Sequence, residues 1–352
     1  MQQETQTFPK LLDGCTIFSK NFVHIDSVFF VKRIPPSSYG KNKEETAVKE
    51  EEKMKVKLFF PRTDLAAERH RADLSVKGVQ YKKQVSGEIE TERLRVSSEE
   101  GAKSIGKPCG LYVTVSFPPL PDCKTGTRSE LTAIIAECLL DTVTRLSGKV
   151  RLQELSILAI GLGNRRMTPD SIGAEVADRI HATAHIRDAD PALFEKMGCA
   201  AISVVAPGVL GDSGIEAADR VRALVSYVHP DVILVFDALA ARSFSRVGCT
   251  VQIADTGISP GSGIGNRRRA ISRATVGAPV IAIGVPTVTD TATLLYDMLA
   301  RLPDTEERRE CERLLADESG SFVSPSDCDA VIHNMSLLLA EAVNATFGVT
   351  LD

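Results

Sequence analysis

The pattern of apolar and polar positions divides the chain at residues 41–57, KNKEETAVKEEEKMKVK, where 11 of 17 residues are charged. Such a segment has too little apolar surface to offset the cost of ordering, so it reads as a solvated helix or a disordered linker. It separates an N-terminal extension, residues 1–57, from a domain over residues 58–352. Early in that domain, residues 78–98 are polar and alternating. Residues 110–117, GLYVTVSF, alternate as a strand does. Residues 129–146 carry apolar positions at helical spacing, entered at Ser129-Glu130. A repeating rhythm follows. Short apolar runs at 155–160, 199–205, 232–236 and 280–283 predict strands. Helices are predicted over 169–185, 215–228 and 290–299, and a last one over 329–347. Buried strands alternating with helices predict an α/β fold, a mostly parallel sheet with helices on both faces.

Composition narrows the setting. The chain has 352 residues, 43% apolar and 25% charged, enough for a sizeable core. A net charge of −4 gives no general electrostatic reason to bind nucleic acid or an anionic membrane. No apolar run approaches the ~20 residues that span a bilayer. The N-terminus lacks the basic start and apolar stretch of a secretory signal. The eight cysteines are scattered without a C-x-x-C pair and read as reduced thiols of a cytoplasmic protein.

Candidate chemistry lies at the strand ends. In open parallel α/β sheets, ligands bind beyond the carboxyl ends of the strands. The segments there carry Asp170, Asp212, Asp237 and Asp290. Two carboxyl groups ~3 Å apart cannot both ionise, so a pair shares a proton and can activate water and protonate a leaving amine. Asp237, at the end of VILVF, is the one closest to its strand, and Asp170 is its expected partner. The plain alternative is that both are helix or turn caps. Gly161, Gly163 and Asn164 form a loop whose N–H groups could hold a peptide or an oxyanion.

Other signals are weaker. Asp255-Thr256-Gly257 is the tripeptide of ordinary aspartic proteases, but a single copy inside an α/β rhythm reads as a turn. The loop around Gly263 has G-x-G-x-G spacing, not G-x-G-x-x-G, and reads as the border of a groove. His181 and His185 are spaced i, i+4, with no Glu after His181 as a zincin requires. No other spacing suggests a metal, so neither metal nor cofactor is expected.

Taken together, RTDLAAE (62–68), KPCGLYVTV (107–115), GLGNRRMTPDSIG (161–173), APGVLGDSGIE (206–216), HPDVILVFDALAARS (229–243), QIADTGISPGSGIGNRRRAIS (252–272) and APVIAIGVPTVTDTATL (278–294) resemble the germination proteases of spore-forming Firmicutes. The resemblance runs from about residue 58 to the end. It implies an atypical aspartic endopeptidase with a fold similar to the hydrogenase maturation proteases (phosphorylase/hydrolase-like). It implies Asp170 and Asp237 as catalytic residues, and no metal. It implies small acid-soluble spore proteins as substrates, a homotetramer, and a place in the forespore and spore core. Members are self-processing zymogens, and the family's cleavage point maps to the Asp64–Leu65 bond. Counted from Met54, a second candidate start, the propeptide would have 11 residues; counted from Met1, 64. Gly161, Gly163, Asn164, Gly263 and Arg242 are expected to shape the substrate groove, and Arg165-Arg166 to attract acidic substrates. Two alternatives stay open: a nickel-guided hydrogenase-type maturation protease, and a non-catalytic nucleotide- or anion-binding module.

Overall fold

The computed structural model describes residues 24–25, 28–29, 61–70, 76–124, 126–262, 265, 268–315 and 320–349. The charged linker and Gly263 lie outside the described residues. In the extension, His24–Ile25 pairs antiparallel with Val28–Phe29. The domain is built on a 9-stranded sheet. Its strands are β1 (Val79–Ser86), β2 (Ile89–Val96), β3 (Gly110–Ser116), β4 (Ser156–Gly161), β5 (Ala201–Val205), β6 (Val232–Ala241), β7 (Thr250–Ala254), β8 (Val280–Asp290) and β9 (Phe322–Val323). The order is β1-β2-β3-β7-β8-β6-β4-β5, with β9 paired to the end of β8.

The expected parallel sheet accounts for half of this. β5, β4, β6 and β8 run parallel to one another, and they are the four apolar runs legible in the sequence. The other pairings, β1/β2, β2/β3, β3/β7, β7/β8 and β8/β9, are antiparallel, so the sheet is mixed and mostly antiparallel by pairing. Local chain reversal is the reason. β1 and β2 are joined by only Gly87 and Glu88, and Gly87 takes a positive φ of 57°. A two-residue connection can only return the chain antiparallel. β1 is largely exposed and carries Lys82 and Lys83, which suits an edge.

Period-2 alternation decides the two faces. In β6, Val232, Leu234 and Phe236 point into a core with Leu131, Ile135 and Leu139 of the helix Thr127–Ser147 and Leu338, Leu339 and Val343 of the C-terminal helix (Cys328–Thr346). Ile233 and Val235 point the other way, against Ala218 and Val221 of the helix Ala217–Val228. Helices therefore cover both faces of the parallel half, as the rhythm predicts.

The single helix expected over 169–185 is instead broken. A 3-10 turn, Thr168–Asp170, leads into a short helix, Ile172–Ala177, and the next helix is Ala184–Ala189. Thr183 fixes the break. Its hydroxyl donates to the Ala200 carbonyl at 2.6 Å and accepts from Ile202 N–H at 2.9 Å, and its own N–H donates to the Ile202 carbonyl. His181 therefore lies outside the helix that holds His185.

The short helix Ile172–Ala177 sits unusually close to the sheet. A methyl group on Gly173 would fall 2.3 Å from the Phe236 carbonyl oxygen and 2.4 Å from that of Leu162. Both are backbone atoms that cannot swing away. Gly173→Ala is therefore expected to cost roughly 2–4 kcal/mol, read as a lowered denaturation midpoint.

Candidate active site

Asp237 lies inside β6, not beyond its end. The partner strand is what ends here: β4 pairs with β6 only as far as Gly161 opposite Phe236, and one further rung joins Leu162 N–H to the Phe236 carbonyl at 2.8 Å. The chain after β4 then turns away as a loop. Gly163 takes φ +103°, and a Cβ there would fall 1.8 Å from the Asp170 carbonyl oxygen. The backbone N–H of Asn164 donates to Asp170 Oδ2 at 2.8 Å. The 3-10 turn then carries Asp170 back to the place that β4 has vacated.

The two carboxyl groups are electrostatically coupled. Burial pushes the Asp237 carboxyl well above the ordinary carboxylate range, and the charge of Asp170 pushes it further. The Ala238 N–H draws it back in part, and Asp64 raises it again. Asp170 is raised chiefly by burial, with the Asn164 N–H working against that. Asp237 is only 5% exposed, whereas Asp170 is half-buried.

The other strand-end aspartates are engaged as caps. Asp212 Oδ2 accepts Val209 N–H at 3.1 Å. Asp290 caps the helix Thr291–Leu299 through Thr293 N–H at 2.9 Å and the Thr293 hydroxyl at 2.7 Å. Asp255 of the D-T-G tripeptide accepts Leu111 N–H at 2.7 Å and pairs with Arg145 at 2.9 Å, holding a turn. Among the described residues, no group of three His, Cys, Asp or Glu side chains converges as metal ligands would.

The segment around Asp64–Leu65 lies across the same region. Asp64 N–H donates to the Ala240 carbonyl at 2.8 Å, and Ala240 N–H donates to Asp64 Oδ2 at 3.0 Å. Ser262 Oγ donates to Asp64 Oδ1 at 2.9 Å. Leu65 is fully buried with Leu239, Ala241 and Val247, and Ala66 packs with Leu94, Tyr112 and Ala254. Glu68 accepts the Arg242 and Ser243 N–H groups at 2.7 and 3.0 Å, and the Thr63 hydroxyl. Lys107 is pushed down by burial, and the Asp64 carboxylate partly offsets that.

Of the expected groove residues, Gly161, Gly163 and Asn164 stand beside the aspartate pair. The Arg242 guanidinium is held by both oxygens of Asp297, at 2.8 and 2.7 Å. Arg165 is bound by both oxygens of Asp178. Its neighbour Arg166 is exposed. Gln252 and Lys107, both beside Asp64–Leu65, were not singled out by sequence reasoning. A lone amide in the apolar strand TVQIA is the signal that could have marked Gln252.

Comparison with known proteins places the chain among peptidases. The germination protease family profile matches residues 61–302. The germination protease of Clostridium perfringens (strain ATCC 13124) is 34% identical over 315 residues, covering 82% of this chain and 95% of the relative. That of Clostridium tetani is 33% identical over 318 residues, 83% of this chain and 96% of the relative. That of Geobacillus sp. (strain WCH70) is 37% identical over 254 residues, 69% of this chain and 67% of the relative. The chain belongs to the germination protease family.

The raised Asp237 has a consequence for stability. A carboxyl whose folded pKa lies above its unfolded value binds more protons when folded, so its ionisation subtracts stability as pH rises between the two values. Asp237→Asn removes that penalty. At neutral pH the variant is expected to be more stable than the parent by roughly 1–3 kcal/mol. The gap should close on acidification towards pH 4, read by thermal melting across pH.

Proposed function

We propose that the chain is an aspartic endopeptidase whose Asp170 and Asp237 share one proton and hydrolyse peptide bonds without a metal. One observation carries the reading. Of the four aspartates at the strand rim, Asp212 and Asp290 serve as caps, while Asp237 is buried on β6 where β4 ends and Asp170 lies near enough for its charge to act on it. Burial raises both carboxyls, Asp237 more deeply, and the charge of Asp170 raises Asp237 further, so the shared proton rests on Asp237. The ionised carboxylate takes a proton from water, which attacks the peptide carbonyl. The protonated carboxyl supplies the proton that the leaving amine needs. The pair titrates as a unit, giving a bell-shaped dependence of rate on pH.

The finer parts of the reading rest on the family resemblance. The substrates are small acid-soluble spore proteins, the enzyme works as a homotetramer in the spore core, and it processes itself at Asp64–Leu65. The docking of that bond against β6, close enough for Asp64 to act on Asp237, supports self-processing. The mixed sheet is compatible with a fold like that of the hydrogenase maturation proteases. Among the described residues, no helix is long and apolar enough to cross a membrane.

The test is cleavage of a purified small acid-soluble spore protein by the processed parent and by Asp170→Asn and Asp237→Asn variants, with and without chelator. Each variant is expected to lose at least about 10³-fold in kcat while remaining folded, and the parent to be indifferent to chelator. Full activity in either variant would return that residue to a capping role.

A further inference from the structure

Gln252 stands on β7 with its side chain on the same sheet face as Asp237. The register places Gln252 opposite Gly284 of β8, and Gly284 opposite Asp237 of β6. Residues aligned across neighbouring strands project to one face, and two strand spacings put these two about 10 Å apart. Gly284 between them carries no side chain, and the Leu239 side chain covers its position. The chain at Asp64–Leu65–Ala66 crosses this face, and Gln252 grips it at two points. Its Nε2 donates to the Asp64 carbonyl oxygen at 3.2 Å, and its Oε1 accepts the Ala66 N–H at 2.7 Å. Gln252 is more than nine-tenths buried. Both contacts are to main-chain atoms that flank the Asp64–Leu65 bond.

The geometry points to Gln252 as a catalytic residue for the Asp64–Leu65 bond, holding the main chain on both sides of it and donating its amide N–H to the carbonyl oxygen that becomes an oxyanion. This rests on the reading of that bond as the one processed. In the reaction, the water oxygen bonds to the Asp64 carbonyl carbon and gives a proton to the ionised aspartate. The carbonyl electrons move onto the oxygen that faces Gln252 Nε2. Collapse of the intermediate breaks the C–N bond, and the Leu65 nitrogen takes the proton held by the other aspartate. The balance is one water added, one carboxyl and one amine formed. A ground-state contact of 3.2 Å tightens as charge gathers on the oxygen, which is when a preplaced donor is most effective. Because the clamp touches no side chain of the cleaved segment, it is indifferent to the residue types on either side.

The full-length chain tests this directly. Processing is followed by intact mass and N-terminal sequencing, with folding checked by circular dichroism. Gln252→Ala removes both contacts and is expected to slow processing by about 10²–10³-fold at every pH. Gln252→Glu keeps the shape; ionised, it cannot donate, but protonated it can. Its deficit relative to the parent should therefore shrink on acidification, and thermal melting at each pH separates lost donation from lost folding. Ala66 sits at φ −66°, a value proline accepts. Ala66→Pro thus removes the N–H whose bond Gln252 accepts and sets a ring methylene against Gln252 Oε1, breaking this half of the clamp without changing Gln252 itself, and should slow processing about tenfold even if the Gln252 variants fold poorly. A parent that cuts itself elsewhere overturns both this assignment and the reading beneath it. A parent that cuts at Asp64–Leu65 while a folded Gln252→Ala variant matches it, or Ala66→Pro matches it, overturns the role of Gln252 alone.

Discussion

The geometry around the aspartate pair depends on backbone meeting backbone with no side chain between. Gly161 at the end of β4 and Gly173 in the short helix face each other so closely that a Cβ on Gly161 would fall 2.1 Å from the Gly173 carbonyl oxygen. Gly163 makes the same approach to Asp170. Only glycine tolerates these contacts. With any larger residue, the helix would stand off from the sheet and Asp170 would withdraw from Asp237. The raised pKa of Asp237 follows from exclusion of water and from that closeness to a neighbouring charge.

The two halves of the sheet divide the work. The parallel half, clad on both faces, supplies a rigid wall and the two carboxyl groups. The antiparallel half presents a face on which residues 62–69 lie. Bonds of Arg62 to Thr293 and of Glu68 to Arg242 and Ser243 fasten that segment at its ends, Gln252 and Ala240 fasten its middle, and Arg69 braces it internally on the Thr63 carbonyl. Any one of these bonds is modest. Their number makes the segment part of the fold.

The sequence shows some of this clearly and hides the rest for physical reasons. The four parallel strands are legible because burial on both faces demands unbroken apolar runs. Asp170 and Asp237 are legible because the carboxyl ends of such strands form a rim. β1 and β2 are hidden because they are short on apolar residues and lie at or near an edge. β7 is hidden because Gln252 interrupts its apolar pattern. The seat of Asp64 could not be read at all: its partners Ala240 and Ser262 lie 176 and 198 positions away, and two of its bonds go to main chain or hydroxyl, not to a complementary charge. Arg242 looked free to meet substrate because Asp297, which holds it, is 55 positions distant.

The apolar seat of Leu65 makes the docked segment a one-way latch. Cutting the chain before Leu65 would create an α-amino group that is mostly charged at neutral pH, lodged among Leu239, Ala241 and Val247. It would also place a second carboxylate on Asp64, within reach of Asp237. Two carboxylates crowded on one buried residue are costly. Their mutual repulsion would favour departure of the severed strand over re-formation of the bond.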